Sequence, residues 1–187
     1  KKLAGLPATY TENEEEATSL DITLHDSVMD TDLVLTYSVY EDYPVVTRSA
    51  RLVQKGNQKI RLENVMSAAV EFPDMDYEMI HLSGAWARER YVKTRKLEMG
   101  IQAVQSLAGT GSSSEQNPFI ALKRPHTTED TGEVFGFSFV YSGNFLAQVE
   151  VSTYEMTRVM MGINPQGFSW ELSRDEEFQT PEVVMVY

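Results

Sequence analysis

The sequence predicts an all-β protein, a large β-sandwich of about a dozen mostly antiparallel strands with little or no helix. Three observations support this. Apolar residues recur at every second position through most of the chain, turn-forming residues separate these runs every 8–12 residues, and no segment longer than about ten residues has apolar positions at helical spacing with capping residues at its ends. Alternation with period two is typical of strands that bury one face.

The clearest strand is 33–40, where Leu33, Leu35, Tyr37 and Val39 occupy one face. A second strand is predicted at 45–53, after a turn in which proline fixes φ, and a loop containing glycine then leads into alternating residues over 60–70. Further strands are predicted at 20–28, 77–83, 86–93, 99–107, 119–123, 133–141, 145–151, 157–163, 168–172 and 183–187.

Other segments have different predicted roles. The acidic stretch 12–20 lacks an apolar stripe and is predicted to be a loop, and the Gly- and Ser-rich stretch 109–117 to be a flexible loop that carries binding function or only connects strands. The aromatic stripe of Phe135, Phe137, Phe139 and Tyr141 is typical of a sandwich core. Trp170 has apolar neighbours two positions away on each side and is predicted to be buried.

Composition excludes several classes of partner. The chain has 187 residues, which suits one domain over 1–187, and a net charge of −12, which disfavours nucleic acid and anionic membranes as ligands. It has no cysteine, so disulfides and thiolate metal sites are excluded, and we expect a reducing cytoplasm. Uncharged ligands such as sugars and basic protein surfaces remain open. Because the chain starts without methionine and stops inside a strand-like run, we expect it to be excised from a longer protein.

The charge is unevenly distributed. Residues 1–32 contain eight carboxylates against two lysines, whereas five basic residues lie within 88–96 with only Glu89 among them. One interpretation is that both segments are solvated surface. The other is that they are complementary contacts to other parts of a larger assembly.

Motifs for catalysis are absent. The three histidines, His25, His81 and His126, are scattered, so neither a metal site nor a nucleophilic triad is predicted, and His81 is expected to be a hydrogen-bonded core or edge residue. Paired carboxylates, which a glycosidase needs across a sugar, occur for instance at Glu41 with Asp42 and at Asp74 with Asp76, and the latter two could point to the same side of a strand. Because Pro73 precedes them, we expect a turn in which aspartate bonds its own backbone.

Trp86 is the strongest candidate for a sugar contact. If 86–91 is a strand, Trp86, Arg88 and Arg90 share one face, with an aromatic ring and planar donors side by side. The alternative interpretation is a tryptophan packed under a guanidinium at a domain interface.

Five stretches carry a resemblance to a known family. They are 82–90 (Leu-Ser-Gly-Ala-Trp-Ala-Arg-Glu-Arg), 116–122 (Gln-Asn-Pro-Phe-Ile-Ala-Leu), 141–145 (Tyr-Ser-Gly-Asn-Phe), 161–165 (Met-Gly-Ile-Asn-Pro) and 178–184 (Phe-Gln-Thr-Pro-Glu-Val-Val). In order and spacing, the chain resembles the N-terminal domain of family 36 α-galactosidases. One departure is that family members often carry a histidine roughly where Ser114 stands.

The resemblance implies a β-supersandwich of the galactose-mutarotase type that belongs to a retaining α-galactosidase acting on terminal α-galactosides such as melibiose and raffinose. The catalytic aspartates of that family lie in a (β/α)₈ barrel, one of them after Lys-Trp. Since neither Trp86 nor Trp170 stands in a Lys-Trp-Asp sequence, no catalytic residue is assigned here and the barrel is expected to follow residue 187. The implied role is to pack on the barrel, support a homo-oligomer such as a tetramer, and wall the active-site entrance.

The substrate-rim or domain-interface candidates are Trp86, Arg88, Glu89, Arg90 and Asn117. No metal or cofactor is expected, the isolated domain is expected to be inactive, and the expected partners are the barrel, further copies of the chain and α-galactosides. Two other hypotheses stay open: an autonomous carbohydrate-binding module, and a mutarotase-like enzyme, which would need a general acid and base near an anomeric carbon.

Overall fold

The computed structural model describes residues 3, 5–110 and 114–187, and within these ranges the chain forms strands and no helix. The strands are β1 (Ala17–Asp26), β2 (Thr31–Tyr40), β3 (Val45–Gln54), β4 (Ile60–Leu62), β5 (Met66–Phe72), β6 (Glu78–Ala85), β7 (Arg88–Lys96), β8 (Gly100–Ser106), β9 (Gln116–Lys123), β10 (Val134–Val140), β11 (Phe145–Val151), β12 (Thr157–Ile163), β13 (Trp170–Leu172), β14 (Glu177–Gln179) and β15 (Glu182–Val186). The all-β prediction is confirmed. Accordingly, these residues include no long apolar helix that could span a membrane.

Nine strands form one large antiparallel sheet in the order β1-β2-β3-β15-β10-β9-β6-β7, with β14 paired to β3 outside this path. β14 and β15 lie end to end along β3, and Thr180 joins them. Its amide donates to the carbonyl of Ala50 and its hydroxyl accepts from the amide of Ala50, both at 2.8 Å. The side chain thus replaces a backbone acceptor where the ladder is interrupted.

A second sheet, β5-β12-β11-β8, covers one face of the large sheet and closes the sandwich. In β11 the alternation is regular: Phe145, Ala147, Val149 and Val151 are buried and the residues between them are partly exposed. Each large apolar side chain buried in this way contributes about 1.5–3 kcal/mol. The aromatic stripe of β10 lies in this core, as predicted, with Phe137 and Phe139 buried and its outer members packed against the cluster.

A two-stranded ribbon of β13 and β4 covers a smaller core made by Leu62, Leu172 and Phe178. Trp170 begins this ribbon and packs on Phe178, with ring centroids 5.5 Å apart. The prediction that Trp170 is buried was wrong, because it remains 50% exposed at the end of a ribbon only three residues long.

Many predicted strands differ from the observed ones by a few residues, and three of these differences have a clear local cause. The strand predicted over 60–70 is two strands that belong to different sheets, because the chain turns at 63–65. The first strand begins at Ala17, inside the stretch predicted to be a loop, since its partner Tyr40 extends the β2 ladder that far. The strand predicted over 86–93 begins at Arg88, because Trp86 and Ala87 form a turn.

Candidate functional site

The hairpin between β6 and β7 carries four of the five candidate residues. Gly84 lets the two strands approach at its root: a Cβ there would lie 2.3 Å from the carbonyl oxygen of Arg88 and 2.8 Å from Cα of Glu89. The amide of Gly84 donates to the carbonyl of Glu115 at 3.0 Å, which ties the hairpin to the segment before β9. Glycine at this position is therefore required by the neighbouring backbone.

The tip of the hairpin is a tight turn at Trp86 and Ala87. Ala87 has a φ of 62°, and its amide donates to the Glu89 carboxylate at 2.9 Å, so this acid holds the turn. Arg90 also has a φ of 62°, which interrupts the regular pleat of β7. The expectation that Trp86, Arg88 and Arg90 share one strand face was therefore wrong, because that face needs an unbroken strand over 86–91.

All four hairpin candidates are exposed, and Trp86 is 85% exposed. Asn117 lies on neighbouring β9 and is partly buried. It adjoins the hairpin root, since its neighbour Gln116 pairs with Ser83. Of the loop predicted over 109–117, residues 111–113 lie outside the described residues, and the prediction was wrong at 116 and 117, where β9 begins. The structure thus brings an exposed indole, two guanidinium groups, a carboxylate and an amide to one end of the large sheet.

His81 is buried on β6 behind the hairpin, a hydrogen-bonded core position as predicted. Its Nε2 lies 2.9 Å from Nη2 of Arg95 and its Nδ1 lies 2.7 Å from Oγ of Ser83. Since arginine only donates, Nε2 accepts and the proton is on Nδ1, which donates to Ser83. Burial lowers the pKa of His81, with further contributions from Arg95 and Lys93. His81 is therefore neutral and does not activate the Ser83 hydroxyl as a nucleophile.

Asp74, one of the two carboxylates that could serve a glycosidase, is held by structural hydrogen bonds. Asp74 accepts two hydrogen bonds from Arg124, at 2.6 and 3.2 Å, and one from the amide of Asp76 at 2.9 Å, as expected for a turn. The Arg124 hydrogen bonds, followed by the amide, hold the pKa of Asp74 below its usual range despite desolvation. A carboxylate held ionised in this way is not a general acid.

Arg124 is a structural residue that the sequence did not reveal. It also donates to Glu133 at 3.0 Å and stacks over the ring of Tyr77, 3.9 Å from its centroid. Asp74 lies 50 residues before Arg124 in the sequence, and Glu133 lies nine residues after it. No local motif signals such a group, because β9 reaches Asp74 only in the folded sheet.

A hollow of about 460 Å³ on the other side of the molecule was also missed. It lies between residues 8–16 and the ends of β2 and β15, and its lining includes Tyr10, Tyr40, Tyr43, Glu16 and Asp42. Tyrosine faces beside carboxylate acceptors are groups that bind sugar C–H surfaces and hydroxyls. Within the described ranges no set of His, Cys, Asp and Glu is grouped as a metal site would require.

Comparison with known families gives a consistent match. The model of the "Glycosyl hydrolase family 36 N-terminal domain" matches residues 1–173. α-Galactosidase AgaA of Geobacillus stearothermophilus is 53% identical over 186 residues, covering 100% of this chain and 25% of the relative. α-Galactosidase 1 of Pediococcus pentosaceus is 44% identical with the same coverage. The chain thus spans about a quarter of the length of these relatives.

Solved structures agree. The crystal structure of AgaA from Geobacillus stearothermophilus superposes with a TM-score of 0.98 at 52% identity, over 100% of this chain and 26% of that one. Variants of AgaA have been crystallised with raffinose and with stachyose. A candidate aldose 1-epimerase from Escherichia coli K12 gives a TM-score of 0.52 at 9% identity, over 94% of this chain and 66% of its own, which shows a shared fold alone.

Proposed function

The chain belongs to the N-terminal domain of glycoside hydrolase family 36, and from this we propose that it is the non-catalytic N-terminal domain of an α-galactosidase. The parent would hydrolyse terminal α-galactosides such as melibiose and raffinose with retention. In this proposal its catalytic (β/α)₈ barrel follows residue 187, and this domain packs on the barrel, supports a homo-oligomer and walls the active-site entrance. A cysteine-free sequence suits our proposed cytoplasmic location.

The observation that carries the proposal is the extent of the match. The whole chain aligns with α-galactosidases, but it covers only about a quarter of the length of each. The chemistry of the described residues supports a non-catalytic role. Asp74 is ionised and bound to Arg124, and His81 is neutral with both ring nitrogens engaged. Neither group is available for proton transfer at a glycosidic bond.

The hairpin tip supports a role at the substrate entrance. Trp86 presents an indole that is 85% exposed, on a turn whose backbone Glu89 holds, so its ring face is accessible to a sugar. Arg88 lies two residues from Trp86 on the same hairpin and is exposed, so its guanidinium can donate to hydroxyl groups. These contacts would bind the distal sugars of a galactoside rather than its cleaved bond.

The test is the Trp86→Ala variant of the parent enzyme, assayed on raffinose. We expect KM to rise roughly tenfold, about 1.4 kcal/mol of lost stacking, with kcat changed less than about twofold because Trp86 does not touch the reacting atoms. Tyr154→Ala is the matched control, since Tyr154 is 86% exposed on another turn, and it should leave both constants unchanged. Equal KM and kcat for the two variants would exclude a role of the hairpin in binding substrate at the entrance. Turnover of an α-galactoside by residues 1–187 alone would refute the non-catalytic role.

A second candidate function is an autonomous carbohydrate-binding module, which the exposure of Trp86 and the tyrosine-lined hollow favour. Its test is a titration of the isolated chain with raffinose and galactose, followed by isothermal titration calorimetry, which detects binding at either place. Saturation at millimolar sugar or below that is lost in Trp86→Ala would support a module with a site at the hairpin. Saturation retained in Trp86→Ala and lost in Tyr43→Ala would place that site in the hollow, and no signal from the folded chain would exclude the module.

A further inference from the structure

One buried side chain joins the two strands of the hairpin 82–90 on the sheet side of its turn. The Nδ1 of His81 donates to Oγ of Ser83 at 2.7 Å, and its Nε2 accepts from Nη2 of Arg95 at 2.9 Å. Ser83 stands directly before Gly84 on β6, and Arg95 lies on β7. The imidazole therefore connects the root of the hairpin on β6 to the returning strand.

The backbone ladders around this cluster are irregular. The register shifts between Ser83 and Ala85 against β7, and between His81 and Ser83 against β9. Each shift interrupts the ladder and leaves fewer backbone hydrogen bonds to fix the direction of the strand. Within the described residues, β7 is held to the large sheet by β6 alone. The orientation of the hairpin therefore depends on the contacts of His81 more than it would in a regular ladder.

The cluster holds together only while His81 is neutral. Arginine has donors and no acceptor, so Nε2 of His81 must offer a lone pair to Arg95. A protonated imidazole has N–H groups on both nitrogens and a positive charge, so it cannot accept from Arg95 and repels it. The hydrogen bond to Ser83 survives protonation, because Nδ1 still donates. Protonation thus removes the one side-chain contact of the cluster that joins β6 to β7.

The surroundings do not compensate a charged His81. Its partner in the β7 ladder is Lys93, a second cation, and its partner on β9 is Ile120, which does not titrate. The salt bridges of the described residues do not include His81, which is only 4% exposed. A buried cation without an acceptor must gain water. Water reaches the ring when β7 separates from β6, so protonation favours an opened hairpin.

The pH range of this effect follows from the direction in which the pKa of His81 is displaced. Burial, followed by repulsion from Arg95 and Lys93, lowers that pKa below its usual value. The closed hairpin therefore has its full stability above about pH 6.5, and loses stability as pH falls below that value.

We propose that His81 is a positioning residue for Trp86: when neutral it holds the hairpin 82–90 closed on the sheet, and when protonated it releases the hairpin, so that affinity for galactosides falls in acid. The effect on affinity rests on the entrance role proposed above. The effect on the hairpin does not, because it depends only on contacts within this chain. One readout for each effect lets either proposal fail alone.

The first readout is hydrogen exchange of the parent enzyme, measured by mass spectrometry on peptides spanning 82–92. The variant is His81→Gln, whose side chain can accept from Arg95 and donate to Ser83 but does not titrate. The ratio of the two exchange rates at one pH cancels the intrinsic effect of pH. Between about pH 7.5 and 5.5 we expect the unchanged enzyme to gain about fivefold in this ratio, the factor that one hydrogen bond is worth.

Two further variants control the comparison. His126→Gln is the matched control, because His126 is exposed and lies outside the hairpin, and it should follow the unchanged enzyme at both pH values. Arg95→Met removes the cation that faces His81, so its exchange should depend on pH as weakly as that of His81→Gln. It also serves as the second variant if His81→Gln does not fold.

The second readout is KM for raffinose over the same pH range. KM of the unchanged enzyme relative to His81→Gln should rise as pH falls, whereas the ratio of their kcat values should stay within about twofold, since His81 does not touch the reacting atoms. An exchange ratio that is the same at both pH values would overturn the proposal. So would a constant KM ratio in an enzyme whose Trp86→Ala variant binds raffinose more weakly. If Trp86→Ala leaves KM unchanged, the entrance role fails, and the exchange ratio alone decides the role of His81.

Discussion

Replacing Gly84 by alanine tests how the hairpin is built. A Cβ at this position would lie 2.3 Å from the Arg88 carbonyl oxygen, and ordinary contact needs more than about 3.2 Å, so β6 and β7 must separate by about 1 Å. Strain of this kind typically costs about 2 kcal/mol. In a chain of this size, that corresponds to a decrease in Tm of about 4–8 °C.

The matched control is Gly136→Ala in β10 of the same sheet. There an added Cβ meets Val186 and Phe119 at 3.9 and 4.0 Å, which is ordinary van der Waals contact, so we expect Tm to change by less than about 2 °C. Differential scanning calorimetry of both variants gives the comparison. Hydrogen exchange at the Gly84 amide, which donates to Glu115, should also accelerate in Gly84→Ala. If both variants unfold at the same temperature, backbone proximity does not explain the glycine.

Three further outcomes are expected in urea unfolding. Because burial lowers the pKa of His81, the stability that neutral His81 contributes is complete above about pH 6.5 and is lost as pH falls below that value. His81→Gln should flatten this loss of stability below about pH 6.5, and an unchanged pH dependence would contradict the argument. Because the Arg124 hydrogen bonds lower the pKa of Asp74, the stability that its carboxylate contributes is present above about pH 3.9 and lost below it. Asp74→Asn should therefore destabilise the chain at pH 7, and a difference in stability from the unchanged chain that persists in strong acid would count against the ion pair. Phe145→Ala, at a fully buried position, should lower the free energy of unfolding by about 3–5 kcal/mol, whereas Tyr154→Ala should lower it by less than about 0.5 kcal/mol. Similar decreases for the two variants would contradict the burial argument.

Sequence reasoning predicted strands where alternation is long and one face is buried. β2, β11 and β12 were found close to their predicted bounds, because side-chain direction alternates with the pleat and the core selects one face. Alternation fails as a guide at turns. Near Trp86 the pattern runs through the hairpin, and only the folded structure shows that Ala87 and Arg90 adopt positive φ.

Long-range order was beyond the sequence pattern. The position of β15 between β3 and β10, and the convergence of Arg124 with Asp74, bring together residues that no local signal connects. The sequence predicted which residues form the candidate site, mainly those of the stretch 82–90. The sequence did not predict the geometry of this site. The position of Trp86 depends on the close approach of β6 and β7 that Gly84 permits and on the carboxylate of Glu89 at the turn.

The central place of β15 has a consequence for synthesis on the ribosome. Thr180, the partner of Ala50, is synthesised 130 residues after it. Until β15 emerges, the large sheet exists as two halves, β1-β2-β3 and β10-β9-β6-β7, and each half has an additional open edge. Pairings of such sequence separation form slowly, and unpaired edges are prone to join the wrong chain. The nascent domain is therefore most vulnerable to misassembly just before its central strand is made, when a chaperone that covers β3 and β10 would protect it most.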